Sequence, residues 1–332
     1  MSFGAGAPWT LGVEEELFLV DQRTLETAPV FEEGIADPPR LKPELFSCFV
    51  ETTTSICADA GDVLEELRRR RFEAAARAAA AGATVLAIGT HPLAESHGQP
   101  IVAEERYEKM VAELGDAIYR QLVCGLHVHV GVASKEMCLR AFDGVLRWAP
   151  TLISLAANSP FAEGADTGLR SARILRLGEL PSGGPPPAFR SWPDWEEATA
   201  ERDYTRLWWD VRPHPRLGTL EVRLTDQQTS VRRSAGVAAL VQALVATAAE
   251  SAPEPYDPAA YSERRADAAA REATAAEVAE LRAHVEPAGR ALGSWPLVEE
   301  LLDSPAEAER QRELGPAAAL RAAAERTLVF GA

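Results

Sequence analysis

A chain of 332 residues, 46% of them hydrophobic, can fill one or two cores but is short for three ordinary domains. Its formal net charge of −16 opposes nonspecific contact with nucleic acid, yet leaves room for an anionic nucleotide wherever a metal ion or local arginines invert the field. No apolar run spans a bilayer, the opening MSFGAGAPWT lacks the basic and apolar regions of a secretion signal, and Cys48, Cys57, Cys124 and Cys138 form no CxxC pair, so a cytoplasmic protein with buried, reduced thiols is predicted.

Thr10 to Val20 alternates as a strand and ends in a turn at Asp21 to Thr24. Leu45 to Thr54, rich in β-branched and aromatic residues, reads as a second strand. Asp62 to Ala81 has helical spacing, with Gly82 as its stop. Thr84 to Ile88 is a short apolar strand, and Pro100 is placed to open a helix running to about Tyr119. Leu122 to Val132 reads as a strand. Ser134 caps a helix to Trp148, and Pro150 to Ala157 reads as a separate short helix. Residues 158 to 187 are rich in glycine, proline and arginine and read as a long functional loop. Leu207 to Val211 and Thr219 to Thr225 flank a turn at Pro213 to Gly218 and predict a hairpin. Ser262 to Thr327 reads as a helical layer. Short crossovers and the hairpin favour a mixed or mainly antiparallel α+β sheet. The absence of GxGxxG after a strand and of GxxxxGK[ST] removes the main support for dinucleotide-binding and P-loop folds.

The chemistry lies on the strands. In Gly12-Val13-Glu14-Glu15-Glu16, side-chain alternation puts Glu14 and Glu16 on one face about 7 Å apart, with Glu15 on the other. Two carboxylates on one face repel unless a cation sits between them, and a hard ion such as Mg²⁺ suits oxygen ligands. Three glutamates on a solvated edge strand are the plain alternative. Glu51 sits among Phe49, Val50 and threonines. His127 and His129 share a face of the segment Cys124 to Gly131, as a ligand pair or as packing. Glu221 and Arg223 share a face of the segment Gly218 to Asp226, as a cross-strand ion pair or as a ligand beside an anion clamp. Inward charges on four strands are costly unless paired or metal-bound. No Ser-His-Asp arrangement or activated cysteine is legible.

Five segments in this order resemble the type 2 glutamate–cysteine ligase (carboxylate–amine ligase) family: TLGVEEELFLVD at Thr10–Asp21, ELFSCFVETTT at Glu44–Thr54, CGLHVHVGV at Cys124–Val132, NSPFAEGADTGLRSAR at Asn158–Arg173 and WWDVRPHPRLGTLEVRLTD at Trp208–Asp226. The resemblance covers roughly Thr10 to Val231. It implies an α+β, glutamine synthetase-like fold, with a mainly antiparallel curved sheet and flanking helices. A single catalytic domain over residues 1–332 is expected, with a helical C-terminal layer at about 262–327 that adds little to the resemblance. The implied activity joins a carboxylate, L-glutamate through its γ-carboxyl, to an amine such as L-cysteine, using ATP and an acyl-phosphate intermediate. By the same resemblance Glu14, Glu16, Glu51, His127 and Glu221 hold Mg²⁺. Arg223 stabilises the transferring phosphate, and Arg173 and Arg212 meet the phosphate or the substrate carboxylate. His129 and Arg170 fall beside the substrate. The partners are then small-molecule acid and amine substrates, with no nucleic acid or membrane, and association into homo-oligomers. A different acid or amine is the nearest alternative. A metal-dependent amide hydrolase is a more distant one, because it wants further histidine ligands and only His91, His97, His214 and His284 remain. The segment 158–187 is expected to close over a reaction intermediate and exclude water, so that an Arg173→Ala variant loses ligation far more than stability.

Overall fold

The computed structural model describes residues 3–32 and 34–329, and every residue given a chemical role above lies within them. The main sheet is built from β1 (Leu11–Asp21), β2 (Leu41–Lys42), β3 (Phe49–Thr53), β4 (Ala83–Leu86) and β5 (Gly125–Gly131). The small strands β6 (Phe161–Ala162) and β7 (Ala165–Asp166) form a separate hairpin, and β8 (Val211–His214) and β9 (Thr219–Asp226) complete the main sheet. Its order is β2-β3-β1-β5-β9-β8, with β4 paired to the distal half of β1. Every pairing is antiparallel. The expected α+β class, a mainly antiparallel sheet with flanking helices, holds.

The helices are α1 (Ala60–Ala79), α2 (Glu105–Leu114), α3 (Asp116–Tyr119), α4 (Lys135–Leu155), α5 (Ala172–Leu177), α6 (Trp192–Thr199) and α7 (Val231–Ala249). They are followed by α8 (Pro258–Ala270), α9 (Ala275–Ala291), α10 (Trp295–Leu302), α11 (Glu307–Leu314) and α12 (Pro316–Thr327). No helix among the described residues is long and apolar enough to cross a membrane.

Strand alternation divides the two faces of the sheet. Leu11 and Val13 of β1, Leu126, Val128 and Val130 of β5, and Leu220 and Val222 of β9 join the core under α1, α4 and α7. Helix α7 is apolar almost all round and correspondingly buried along most of its length. The opposite face carries Glu14 and Glu16, and farther along β1 it turns apolar at Phe18 and Val20, which pack with Phe46, Phe49, Leu86 and Ile88.

Glu15, left without a role by the sequence, points into the helical face and is fully buried. Its partner is Arg71 of α1, also fully buried, which donates through Nε to Oε2 at 2.8 Å and through Nη2 to Oε1 at 2.6 Å. Gln227 and Ser234 each donate to the same Oε1 at 2.7 Å. The Arg71 guanidinium also donates to the carbonyls of Gln228, Thr229 and Thr327. One bidentate pair therefore ties the sheet to α1, to the start of α7 and to the end of α12.

Several boundaries differ from the sequence reading. The second strand begins only at Phe49, because residues 43–48 bend away and place Glu44 over the sheet face. The helix expected from Pro100 starts at Glu105 and breaks at Gly115, whose φ of 54° favours glycine. The two pieces expected around Pro150 are one helix, α4, with a buried Pro150 inside it. The hairpin is real but shifted, with β8 starting at Val211.

Residues 158–187 are not one open loop. They contain β6, β7 and α5, and the buried Asp226 carboxylate pins their start. It accepts from Asn158 N and Ser159 Oγ at 2.7 Å and from Ser171 Oγ at 2.8 Å. Closure as a lid therefore does not extend to residues 158–173.

Candidate functional site: an acid, histidine and arginine stripe

The antiparallel registers align one row of polar residues across the sheet. Glu51 faces Glu16, Glu14 faces His127, His129 faces Glu221, and Glu221 faces Arg212. Directly opposed residues share a sheet face, so β3, β1, β5, β9 and β8 all contribute to the same stripe. A bulge between Leu126 and Val128 in the β5–β9 pairing interrupts the ladder inside this row. The stripe floors a cavity of about 820 Å³, lined in part by Glu14, Glu16, Glu51, His127, Arg173, Arg212 and Arg223. Leu45, Phe49, Ile118, Leu177 and Leu180 form an apolar section of the same cavity.

At the centre, ligand atoms of Glu14, His127 and Glu221 all lie within 4.8 Å of one another. His127 Nδ1 is 3.6 Å from Glu14 Oε2, and its Nε2 is 3.6 Å from Glu16 Oε1. His127 is buried, and its Nδ1 has no hydrogen-bond partner. His129 Nε2 sits between Glu14 and Glu221 at 3.9 and 3.8 Å, while its Nδ1 meets Thr219 Oγ1 at 3.0 Å. Two carboxylates and an imidazole with an unused nitrogen, converging on one point, fit a divalent cation.

Glu221 has a second attachment. Arg212 grips it in a fork, Nε to Oε2 at 2.6 Å and Nη2 to Oε1 at 3.2 Å, and Arg223 Nη1 donates to Oε1 at 2.5 Å. Arg212 in turn lies against the Tyr204 ring at 4.5 Å. Arg173 donates from both Nη atoms to the carbonyl of Arg223 at 3.2 Å, and its guanidinium packs against Gly125. A Cβ at residue 125 overlaps that guanidinium, which accounts for glycine here. A Gly125→Ala variant is therefore expected to displace Arg173 and lower kcat about tenfold or more, on the scale of a lost positioned charge, while circular dichroism stays close to wild type.

Burial and charge move the acids in opposite directions. Burial pushes the Glu14 carboxyl up, but His127 and His129 overcome it and hold Glu14 well below the usual range. Burial likewise opposes ionisation of Glu221, and Arg212, Arg223 and His129 overcome it. Burial and the neighbouring Glu14 push Glu51 up to about 8, with Lys42 opposing. Burial and Glu16 push Glu44 up to about 7. His127 is held down by burial and Arg223. His129 is raised, because Glu221 and Glu14 outweigh its burial.

An acid whose pKa rises on folding binds more protons in the folded state, so stability falls as pH climbs from the unfolded value to the folded one. The metal-free protein is thus expected to lose thermal stability between about pH 4.5 and pH 8 through Glu44 and Glu51. Mg²⁺ held by Glu14, His127 and Glu221 leaves Glu44 and Glu51 outside its ligands and is expected to restore little of it. Melting curves across this range, with and without the ion, check both statements.

The residues singled out in the sequence do not all converge. Arg170 is buried away from the cavity, 3.1 Å from Glu309 and 3.8 Å from Glu272 of the C-terminal helical segment. His91 is a structural histidine: Nε2 lies 2.8 Å from the carbonyl of Leu25, and Nδ1 accepts from the amides of Leu93 and Ala94. Conversely, Lys42, Glu44 and Tyr204 line the cavity without having been singled out. The signal for Glu44 was present, an acid at the head of ELFSCFVETTT, but it fell outside the strand drawn from Leu45.

The chain is similar to known proteins in sequence and in fold. The Glutamate-cysteine ligase family 2 profile matches residues 10–331. A Rubrobacter xylanophilus protein provisionally named glutamate–cysteine ligase 2-3 is 41% identical over 265 residues, covering 76% of this chain and 73% of its own. A second from the same organism, provisionally named glutamate–cysteine ligase 2-1, is 38% identical, covering 75% of this chain and 70% of its own. Among crystal structures, the Francisella tularensis glutamate–cysteine ligase in complex with AMP superposes with a TM-score of 0.70 at 12% identity, over 99% of this chain and 90% of that one. The Pasteurella multocida bifunctional glutathione synthetase superposes with a TM-score of 0.64 at 16% identity, over 96% of this chain but 49% of that one. The two structures share the fold. The profile match and the two relatives show that the chain belongs to glutamate–cysteine ligase family 2 and is an ATP-dependent carboxylate–amine ligase.

Proposed function

We propose that this ligase joins the γ-carboxylate of L-glutamate to the amine of L-cysteine through an acyl phosphate formed from ATP. The observation that carries this reading is the convergence of Glu14, His127 and Glu221, the first two lining one cavity with Arg173, Arg212 and Arg223; the choice of acid and amine rests on the family. A carboxylate is a poor acyl donor to an amine near neutral pH. Attack of a carboxylate oxygen on the γ-phosphorus releases ADP and leaves an acyl phosphate. The amine then attacks the acyl carbon, phosphate departs with the electron pair of the broken C–O bond, and the amine proton passes to solvent or a nearby base.

No nucleophile from the protein is needed, so catalysis reduces to positioning and charge neutralisation. Glu14, His127 and Glu221 are the residues to hold Mg²⁺, with Glu16 beside them; when bound, the ion offsets phosphate charge and orients the γ-phosphate. Arg223 and Arg173 present positive charge to the transferring group. Arg212, locked on Glu221 and Tyr204, keeps that acid in place. His129, wedged between Glu14 and Glu221, holds their spacing. The apolar section of the cavity suits the adenine base.

The test is ADP release with L-glutamate, Mg²⁺ and hydroxylamine. Formation of γ-glutamyl hydroxamate in step with ADP is the expected result. If another acid gives hydroxamate in place of glutamate, the ligase class stands and the substrate assignment falls. If none of a panel of acids gives ADP or hydroxamate, the reading fails altogether.

A further inference from the structure

Lys42 stands directly opposite Glu51 in the β2–β3 register. Its Nζ lies 2.5 Å from Glu51 Oε1 and 3.9 Å from Glu14 Oε1. Glu14 therefore divides its two oxygens: Oε1 turns to the ammonium, and Oε2 turns to His127 and His129. The group whose ligand atoms fall within 4.8 Å contains Glu14, His127 and Glu221, and Glu51 is not part of it. Glu51 already has its counter-charge.

The choice of cation is informative. Lysine occurs only at Lys42, Lys109 and Lys135, so nearly every cation of this chain is an arginine. A guanidinium is a broad, flat fork, whereas an ammonium is a compact point charge with donors that rotate freely. Between two carboxylates on adjacent strands, an ammonium is the side chain closest in size and charge to a small metal ion. The ammonium offsets the charge of the carboxylate it touches, so Glu51 has less negative charge to offer a second divalent ion.

We infer that Lys42 is a resident cation of this site: its ammonium sits between Glu14 and Glu51 and would compete there with a divalent ion. Glu51 then belongs to the ammonium, and Lys42 limits the number of ions the stripe accepts. This rests on the reading that Glu14, His127 and Glu221 hold a divalent ion.

The test counts Mn²⁺ bound per chain by electron paramagnetic resonance of the free ion, without nucleotide, for wild type and for Lys42→Met. The variant is expected to take one additional equivalent. Lys42→Arg is expected to keep the wild-type count, and adding Glu51→Gln to Lys42→Met is expected to abolish the extra equivalent. An unchanged count and affinity in Lys42→Met, with Mn²⁺ binding to wild type, overturns the inference and leaves the metal reading standing. No Mn²⁺ bound to wild type overturns both. A second measurement uses only wild type: acetylation of Lys42, normalised to Lys109 and Lys135 by mass spectrometry, is expected not to rise when Mn²⁺ is added. A rise shows that the ion displaces the ammonium and overturns the inference even if Lys42→Met does not fold.

Discussion

An Arg71→Met variant is expected to lose about 3–5 kcal/mol of unfolding free energy, because it strands the Glu15 carboxylate in the core without its counter-ion. Both side chains are fully buried, and the guanidinium makes two bonds to Glu15 and three to carbonyls of the 227–229 segment and α12. Gln227 and Ser234 still donate to Glu15 in the variant, but neutral donors do not balance a buried charge. Denaturant unfolding measures the loss. The double variant Glu15→Gln, Arg71→Met is expected to be more stable than Arg71→Met alone, since it removes the stranded charge. A double variant at least as unstable as the single one contradicts this account of the pair.

A His127→Ala variant is expected to lose about 10²–10³-fold in kcat/KM, the range seen when one charge-stabilising group is removed from a preorganised site. It is expected to bind Mn²⁺ more weakly than wild type while keeping nearly all its thermal stability. The asymmetry follows from the bonds. His127 Nδ1 has no hydrogen-bond partner, and the ring nitrogens make only long contacts, 3.5 Å to Arg173 and 3.6 Å to Glu14 and Glu16. Removing the ring therefore breaks little that holds the sheet. Glu221→Gln is a poorer probe, because Glu221 is the counter-ion of both Arg212 and Arg223. Its loss leaves two guanidinium groups unbalanced and lowers stability and turnover together. Arg173→Ala has the same difficulty, because Arg173 is buried and bonded to the carbonyl of Arg223. The expectation that it spares stability does not suit this geometry. A His127→Ala protein with wild-type kinetics contradicts the placement of the metal at Glu14, His127 and Glu221.

What the sequence made legible was what strand alternation controls. A period of two put Glu14 and Glu16 together and Glu15 opposite, and it grouped His127 with His129 and Glu221 with Arg223; the structure shows the same faces. Partners distant in the chain were not legible. Nothing near Glu15 in sequence points to Arg71, which lies on the next element but two and meets it only after the sheet packs on α1. Pro150 suggested a break, since a proline inside a helix loses one backbone bond, but tertiary burial of Pro150 carries α4 through to Leu155. Composition suggested an open loop at 158–187, and one carboxylate, Asp226, at the end of the next motif, holds its first part down. Arg170 shared that loop with Arg173 but turns to the acids of the C-terminal segment, a direction no local pattern encodes.

The most direct test of the central claim follows an oxygen atom. With L-glutamate labelled with ¹⁸O in its γ-carboxylate, together with ATP, Mg²⁺ and L-cysteine, one label is expected in the released inorganic phosphate for each amide formed. Amide formation that leaves the phosphate unlabelled contradicts activation of the carboxylate by phosphoryl transfer at this site.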